Sequence, residues 1–269
     1  MAKGPNRYEH YNRPGAAYQV GEKTGGWDFI YSASTIKDPK WNIGDHVKLP
    51  DGREYVYAKS GAACISGQGC EVYAAGYISY TAFTVAAAVG DREVTVPAAT
   101  HAALTLDALR GGYICIWDGS TNNTQFRQIV GNDAAAENAA FVVYLDGPLS
   151  EAVTTSSAAE VYTNPWAAVR TGTMNYYPKV GVPATKITAA NYYFWVQVKG
   201  WSFAAPQGGK LGTTEGGYVG GLWSDYGNIS DFNTSLGVTV AAGRGSQYAG
   251  FAVQGDADNI GPLFHLGTP

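Results

Sequence analysis

Four histidines, three cysteines and a scatter of carboxylates are the groups of this chain that could do acid-base, nucleophilic or metal chemistry. His10, His46, His101 and His265 stand far apart. None belongs to an H-E-x-x-H or a paired Cys/His spacing, which is how a tetrahedral zinc centre usually gathers its ligands. Their expected role is that of a solvated or hydrogen-bonded side chain. A Ser-His-Asp hydrolase on an α/β scaffold needs a Gly-x-Ser-x-Gly elbow, and "GRGSQYAG" around Ser246 only looks similar. There is no P-loop, and "SGQGCEV" lacks the third glycine and the following helix of a dinucleotide fingerprint, so it reads as a hairpin turn. A glycosidase uses two carboxylates about 5 to 10 Å apart. Asp118, Asp133, Asp146, Glu151 and Glu160 supply candidates without recognisable spacing, and most sit in stretches such as "WDGSTNN", "GND" and "LDGP", where Asp is a turn residue. The expectation is a chain with no catalytic residue, no metal and no cofactor.

The thiols carry a structural question. Cys64, Cys70 and Cys115 are odd in number, which argues against a disulfide framework. Cys64 and Cys70 flank "ISGQG", long enough for a hairpin loop, so a bridge between them and a pair of buried free thiols both stay open, with free thiols favoured.

Aromatic side chains are the other candidates for function. The stretch "NYYFWVQVKGWSF", residues 191–203, holds six aromatic residues, and strand alternation divides it into two faces. Tyr192, Phe194, Val196 and Val198 read as a core face. Tyr193, Trp195, Gln197 and Lys199 read as an amphipathic one, suited to a glycan platform or to a protein interface, with the interface favoured. If Trp195 is buried within its own chain, the strand is covered on both faces and the interface lies elsewhere. Gly200 is expected to release the strand into a turn before Trp201. With Arg7, Tyr8, Tyr11 and Trp27 of the N-terminal region, the residues Tyr193, Trp195 and Trp201 make up the candidate interface.

The elements that must position these residues are short strands. The hydrophobic fraction is 45% but the charged fraction only 15%, below the usual quarter or so, leaving much of the surface neutral or apolar. Glycine (35) and tyrosine (19) are heavily used and methionine (2) is scarce, a balance that favours strands and turns. Residues 1–40 show no sustained period and read as an extended N-terminal arm, lying on its own body or on a neighbouring subunit. From Trp41 the pattern becomes a hairpin about "PDG", and residues 41–84 form the first part of a β domain. Residues 85–165 read as an inserted or second β subdomain, with one candidate helix in "PAATHAALTLDALRGG" burying Leu104, Leu106 and Leu109. Residues 166–269 read as a C-terminal β domain with an extended tail. The expected fold is all-β, an antiparallel barrel or sandwich with a second β subdomain and an extended arm.

The net charge of −4 supplies no basic patch for a phosphate backbone, so nucleic acid is not an expected partner. No stretch approaches the roughly 18 apolar residues of a membrane helix, and "MAKGPNRYEHYNRPG" lacks the apolar core of a secretory signal. Folding in a cytoplasm is expected, which leaves the sequons at Asn122, Asn228 and Asn233 without meaning.

"DGREYVYAKSGAACISGQG" (51–69) resembles a recurring pattern of tailed-bacteriophage virion proteins, in which a D-G-R turn leads into an aromatic strand, a G-A step and a later glycine. "LRGGYICIWDG", "FRQIVGND", "VVYLDGPLSEAV" and "NPWAAV" follow the same order, and "YYFWVQVKGWSF", "GGYVGGLW" and "SLGVTVAAG" look like the C-terminal third. The resemblance spans about residues 44–253 and leaves out the arm and the tail "DADNIGPLFHLGTP". It implies a capsid decoration, or cement, protein made in the bacterial cytoplasm and carried on the capsid exterior. Its implied partners are the major capsid protein and itself, as a homotrimer. The alternative is a glycan-binding host-recognition protein of head or tail fibre type using Tyr193, Trp195 or Trp201.

Overall fold

Turn residues and short β-branched runs set the architecture. The computed structural model describes residues 27–72, 76–118, 123–171, 177–205, 220–223, 227–231, 247–254 and 263–267. Two curled antiparallel sheets form half-barrels, so the chain is all-β. Its described residues divide into two compact units, one within Ala74–Pro165 and the other within Ala17–Tyr73 and Trp166–Pro269.

Strands β1 (His46–Lys48), β2 (Glu54–Lys59) and β3 (Cys70–Glu71) precede the inserted segment. Within it run β4 (Gly76–Ala82), β5 (Glu93–Val96), β6 (Tyr113–Asp118), β7 (Asn123–Asn132), β8 (Phe141–Leu145) and β9 (Ser157–Tyr162). After it come β10 (Arg170–Thr171), β11 (Lys179–Pro183), β12 (Tyr193–Phe203), β13 (Gly221–Trp223), β14 (Ile229–Asp231), β15 (Gln247–Gln254) and β16 (Leu263–Leu266).

The expected hairpin is β1–β2, with Val47 opposite Tyr55. Its turn closes because Gly52 takes φ +89° and the Asp51 carboxylate accepts the Arg53 amide at 3.1 Å, the local bonding that suits Asp and Gly to turns.

The inserted unit is one six-stranded sheet in the order β4-β9-β6-β7-β8-β5. Burial alternates along β6 and β8 with period two, and the inward set (Ile114, Ile116, Phe141, Val143, Leu145) joins Val94, Val96, Ile129 and Val161 in one core. Fully burying each such side chain contributes roughly 1.5–3 kcal/mol.

The helix expected over "PAATHAALTLDALRGG" does not form. Leu104 pairs as an isolated bridge with Ala135, the Leu109 amide donates to Asn132 Oδ1 at 2.8 Å, and Asp107 takes φ +59°. Neighbouring strands satisfy the backbone groups that a helix would have satisfied internally, so Leu104 and Leu109 reach the core while Leu106 points to solvent. His101, inside the same segment, is buried with both ring nitrogens 2.7 Å from carbonyl oxygens, those of Ala102 and Ala139.

The other unit is a ten-stranded sheet in the order β10-β3-β11-β12-β16-β15-β13-β14, with β2 also paired to β12 and β1 to β2. The segment read as a tail contains β16, which lies between β12 and β15 and carries the fully buried Phe264. A four-residue strand gives little periodicity of its own, and one of its two partners, β12, lies far away in sequence. Of the residues read as an arm, 1–26 fall outside the described residues, and 27–40 lie on their own unit. Ile30 is buried there and Ser34 bridges Tyr193. Cys64 and Cys70 are buried free thiols in one core cluster, and Cys115 is a half-buried one.

Candidate functional site

Strand β12 connects the two aromatic regions of the larger unit. Its first half is clasped between β2, where Trp195 faces Tyr57, and β11, where Val196 faces Pro183. Phe194 and Val196 enter a core with Ala58, Cys64, Cys70, Val169 and Ile187, with Tyr192 and Val198 packed at its edge, as alternation predicts. The opposite face is also covered. Trp195 is only 2% exposed, in a second core with Ile30, Val47, Leu49, Tyr55 and Tyr57. Trp41 meets it edge-on at 4.9 Å between ring centroids, and Phe29 does so at 5.6 Å.

Trp195 therefore offers almost no surface on which to bind a glycan or a neighbour. Of the two placements open for the arm, its own body or a neighbouring subunit, residues 27–40 take the first, and Phe29, with Trp41 just beyond, caps Trp195 because both bury more apolar area there than in water. Tyr193 is half-buried, stacked on Tyr57 at 6.1 Å with the Lys59 ammonium 5.8 Å from its ring centroid. Trp27 is half-buried against the same core. Arg7, Tyr8 and Tyr11 lie outside the described residues.

Gly200 does not end the strand. The register of β12 against β2 shifts between Gln197 and Lys199, and Gly200 takes φ +88° where an added Cβ would stand 2.9 Å from Arg53 Cα. This is a bulge, which re-aims the residues beyond it. Beyond it β12 leaves β2 and pairs with β16, placing Trp201 opposite His265 and Phe203 opposite Leu263. On the far side of β16, Phe251 of β15 faces His265. Trp201, Phe203, Phe251 and Leu263 are 42, 52, 38 and 49% exposed, and His265 stacks on Phe251 and meets Trp201 edge-on, each at 4.9 Å. The alternate residues Phe264, Leu266 and Ala252 enter the core with Trp223 and Ile229, which holds the outward stripe on a rigid sheet. Sequence reasoning found Trp201 and missed its four companions, of which only Phe203 is marked by the period-two alternation of "WSF".

Beside this stripe lies an open recess of about 500 Å³, lined by Tyr31, Arg53, Tyr55, Gln197, Trp201 and Phe203 together with Val182, Pro183 and Leu263. Arg53 Nε lies 2.7 Å from Asp51 Oδ2. Burial works against the Arg53 charge, yet its bond to Asp51 and the neighbouring tyrosine oxygens hold its pKa above the ordinary arginine value. Burial and then hydrogen bonding with Tyr31 push the Tyr55 hydroxyl well up, so it stays a neutral donor. A second recess, about 310 Å³, lies among Phe29, Ile36, Pro39, Trp41 and Tyr193.

Three of the five candidate carboxylates hold local hydrogen bonds. The Asp133 carboxylate accepts from Tyr144, Asp146 from the Gln128 amide and Glu160 from Tyr162. Asp118 ends β6, and Glu151 is exposed. Among the described residues no group of three or more His, Cys, Asp or Glu side chains is placed to hold a metal ion, and no helix is long and apolar enough to cross a membrane. Comparison with known protein families, with curated proteins and with solved structures finds no match.

Proposed function

We propose that this chain is a non-enzymatic bacteriophage virion protein that decorates the capsid exterior and stabilises it by binding the lattice of the major capsid protein. The observation that supports this reading is the stripe of Trp201, Phe203, Phe251 and Leu263, four large apolar side chains exposed together across three adjacent strands and backed by a packed core. A contiguous apolar patch on a rigid sheet marks an interaction surface, and aromatic anchors give most contact area per rotamer fixed. Apolar burial at roughly 25 cal/mol per Å² provides the binding energy, and a ligand that binds only the assembled shell stabilises it by mass action. The phage assignment rests on the resemblance carried by the ordered motifs quoted from the sequence, and the homotrimer is what that resemblance implies, in keeping with the closed symmetry of most oligomers.

Mass spectrometry of purified particles and cryo-EM of the shell test the proposal. The expected result is a copy number comparable to that of the major capsid protein, with the stripe in contact with it. Absence from particles, or a few copies per particle, overturns it. Light scattering of the purified chain tests the trimer.

A second reading, glycan-binding host recognition, is favoured by one feature, the recess that Trp201 rims. Of the residues put forward for it, Trp195 is sealed in the core, and Trp201 is open.

A further inference from the structure

The recess combines a fixed polar floor with exposed aromatic walls. Arg53 Nη1 donates to the hydroxyl oxygens of Tyr31 at 2.9 Å and Tyr55 at 3.2 Å. Tyr55 in turn donates to Gln197 Oε1 at 3.4 Å, and Gln197 Nε2 donates to the carbonyls of Lys199 at 3.2 Å and Trp201 at 2.8 Å. Tyr55 and Gln197 are buried, so the interior fixes this chain of donors and acceptors before any ligand arrives. The apolar part is different in kind. Phe203 and Trp201 stand out at the rim with large areas open to water, over a wall of Val182, Pro183 and Leu263. Two glycines shape the recess. Gly67 takes φ +75°, and a Cβ there would stand 2.5 Å from the Phe203 ring, while Gly200 lets β12 pass against Arg53.

Charge and shape narrow the ligand. The volume of about 500 Å³ lies in the roughly 300–1,000 Å³ range of small-molecule sites. Asp51 already neutralises Arg53 at 2.7 Å, so an anionic ligand would have to compete with a carboxylate for that guanidinium. A wholly apolar ligand would strip water from the floor without replacing its hydrogen bonds, which costs binding energy. A pyranose ring avoids both penalties. One face presents C–H groups to an aromatic plate, and the rim of hydroxyls can both donate and accept.

We infer that this recess is a binding site for a neutral saccharide, with a pyranose ring held against Trp201 and Phe203 and its hydroxyls turned towards Tyr31, Arg53 and Gln197. The inference gives the glycan-binding reading a site and a ligand class, and it stands whether or not the chain belongs to a capsid.

The test is an array of neutral oligosaccharides of the gluco, galacto, manno, rhamno and N-acetylhexosamine series, with sialylated and uronic-acid glycans as acidic comparators, probed with the purified full-length chain. Calorimetric titration with the strongest neutral binder follows. Saturable binding to a neutral glycan is expected, weakened about tenfold or more by Phe203→Ala and by Trp201→Ala. Both side chains are exposed, and unchanged thermal midpoints show that the variants remain folded. Arg53→Lys, which keeps the charge but loses the planar fork, is expected to weaken binding less. No binding to any neutral glycan at millimolar concentration overturns the inference, as does binding confined to acidic glycans or binding that survives both aromatic substitutions. Loss of particle retention in Trp201→Ala without any saccharide binding also overturns it and assigns the recess to a protein contact. Saccharide binding by a chain absent from purified particles removes the capsid reading and leaves this one standing. Binding that does not affect adsorption to host cells retains the site and removes host recognition.

Discussion

Trp195 and Trp201 are the same residue type on the same strand, six positions apart, and they do opposite things. Trp195 is 2% exposed under Phe29, Trp41 and Tyr57, whereas Trp201 is 42% exposed and shares a surface with Phe251 and His265. Membership of a strand does not by itself explain the contrast, since β12 runs through both. It arises because the residues from Trp27 to Trp41 cover one end of the strand, while the bulge at Val198 turns the other end towards β16. An aromatic residue in a strand becomes core or surface according to what chain crosses it, and that chain can come from anywhere in the sequence.

The sharpest way to break this contrast is to truncate both tryptophans. Trp195→Ala is expected to destabilise the larger unit by about 3–5 kcal/mol, the range for a large aromatic removed from a packed core, and Trp201→Ala by no more than about 1 kcal/mol. Urea unfolding followed by circular dichroism measures both, and equal losses would mean that the stripe is itself buried in the folded protein. Next in size, Gly200→Ala places a Cβ against Arg53 at φ +88°. It should cost about 1–3 kcal/mol and shift the near-ultraviolet signal of Trp201 as the bulge deforms. Asp51→Asn has a smaller effect. Burial raises the Asp51 carboxyl, but the Arg53 amide and guanidinium outweigh it and hold the pKa below the ordinary value. The folded pKa lies under the unfolded one, so this stabilisation is present above the unfolded value and is lost as pH falls through the folded value. The variant should lose at most about 1 kcal/mol at neutral pH, as for an exposed pair, and match the parent below the folded pKa, so that this part of the acid limb flattens. Last, native alkylation separates interior from surface without any change in energy. Burial, and then Glu160, push the Cys115 thiol up, so it should react slowly, while buried Cys64 and Cys70 should react only after unfolding.

Much of the strand content was legible because local alternation encodes it, as with Val47 and Leu49 in the hairpin and Ile114 and Ile116 in β6. The core face of β12 was legible for the same reason. The failures have a common cause in long-range pairing. "THAALTLDALRGG" has helical composition, but Ala135 and Asn132 take up its backbone groups. "LFHL" is too short to announce itself, and its two neighbours begin 70 and 16 residues before it at Tyr193 and Gln247. The recess was invisible because Tyr31, Arg53, Gln197 and Phe203 meet only once β2 has paired with β12. Nothing in their spacing marks them as neighbours.

The ends of the inserted segment also have a consequence. In the larger unit Glu71 and Arg170 are strand partners, tied by a charged pair at 2.7 Å, so the points where the chain leaves and re-enters that sheet are already adjacent. In the smaller unit the first and last strands are likewise paired, Gly76 with Tyr162. Each unit thus keeps its two chain ends side by side, the arrangement that tolerates insertion and circular permutation. In genetic terms residues 74–165 form a cassette. They could be acquired, lost or exchanged for another domain by recombination at two neighbouring seams, leaving the aromatic surface of the host sheet in place.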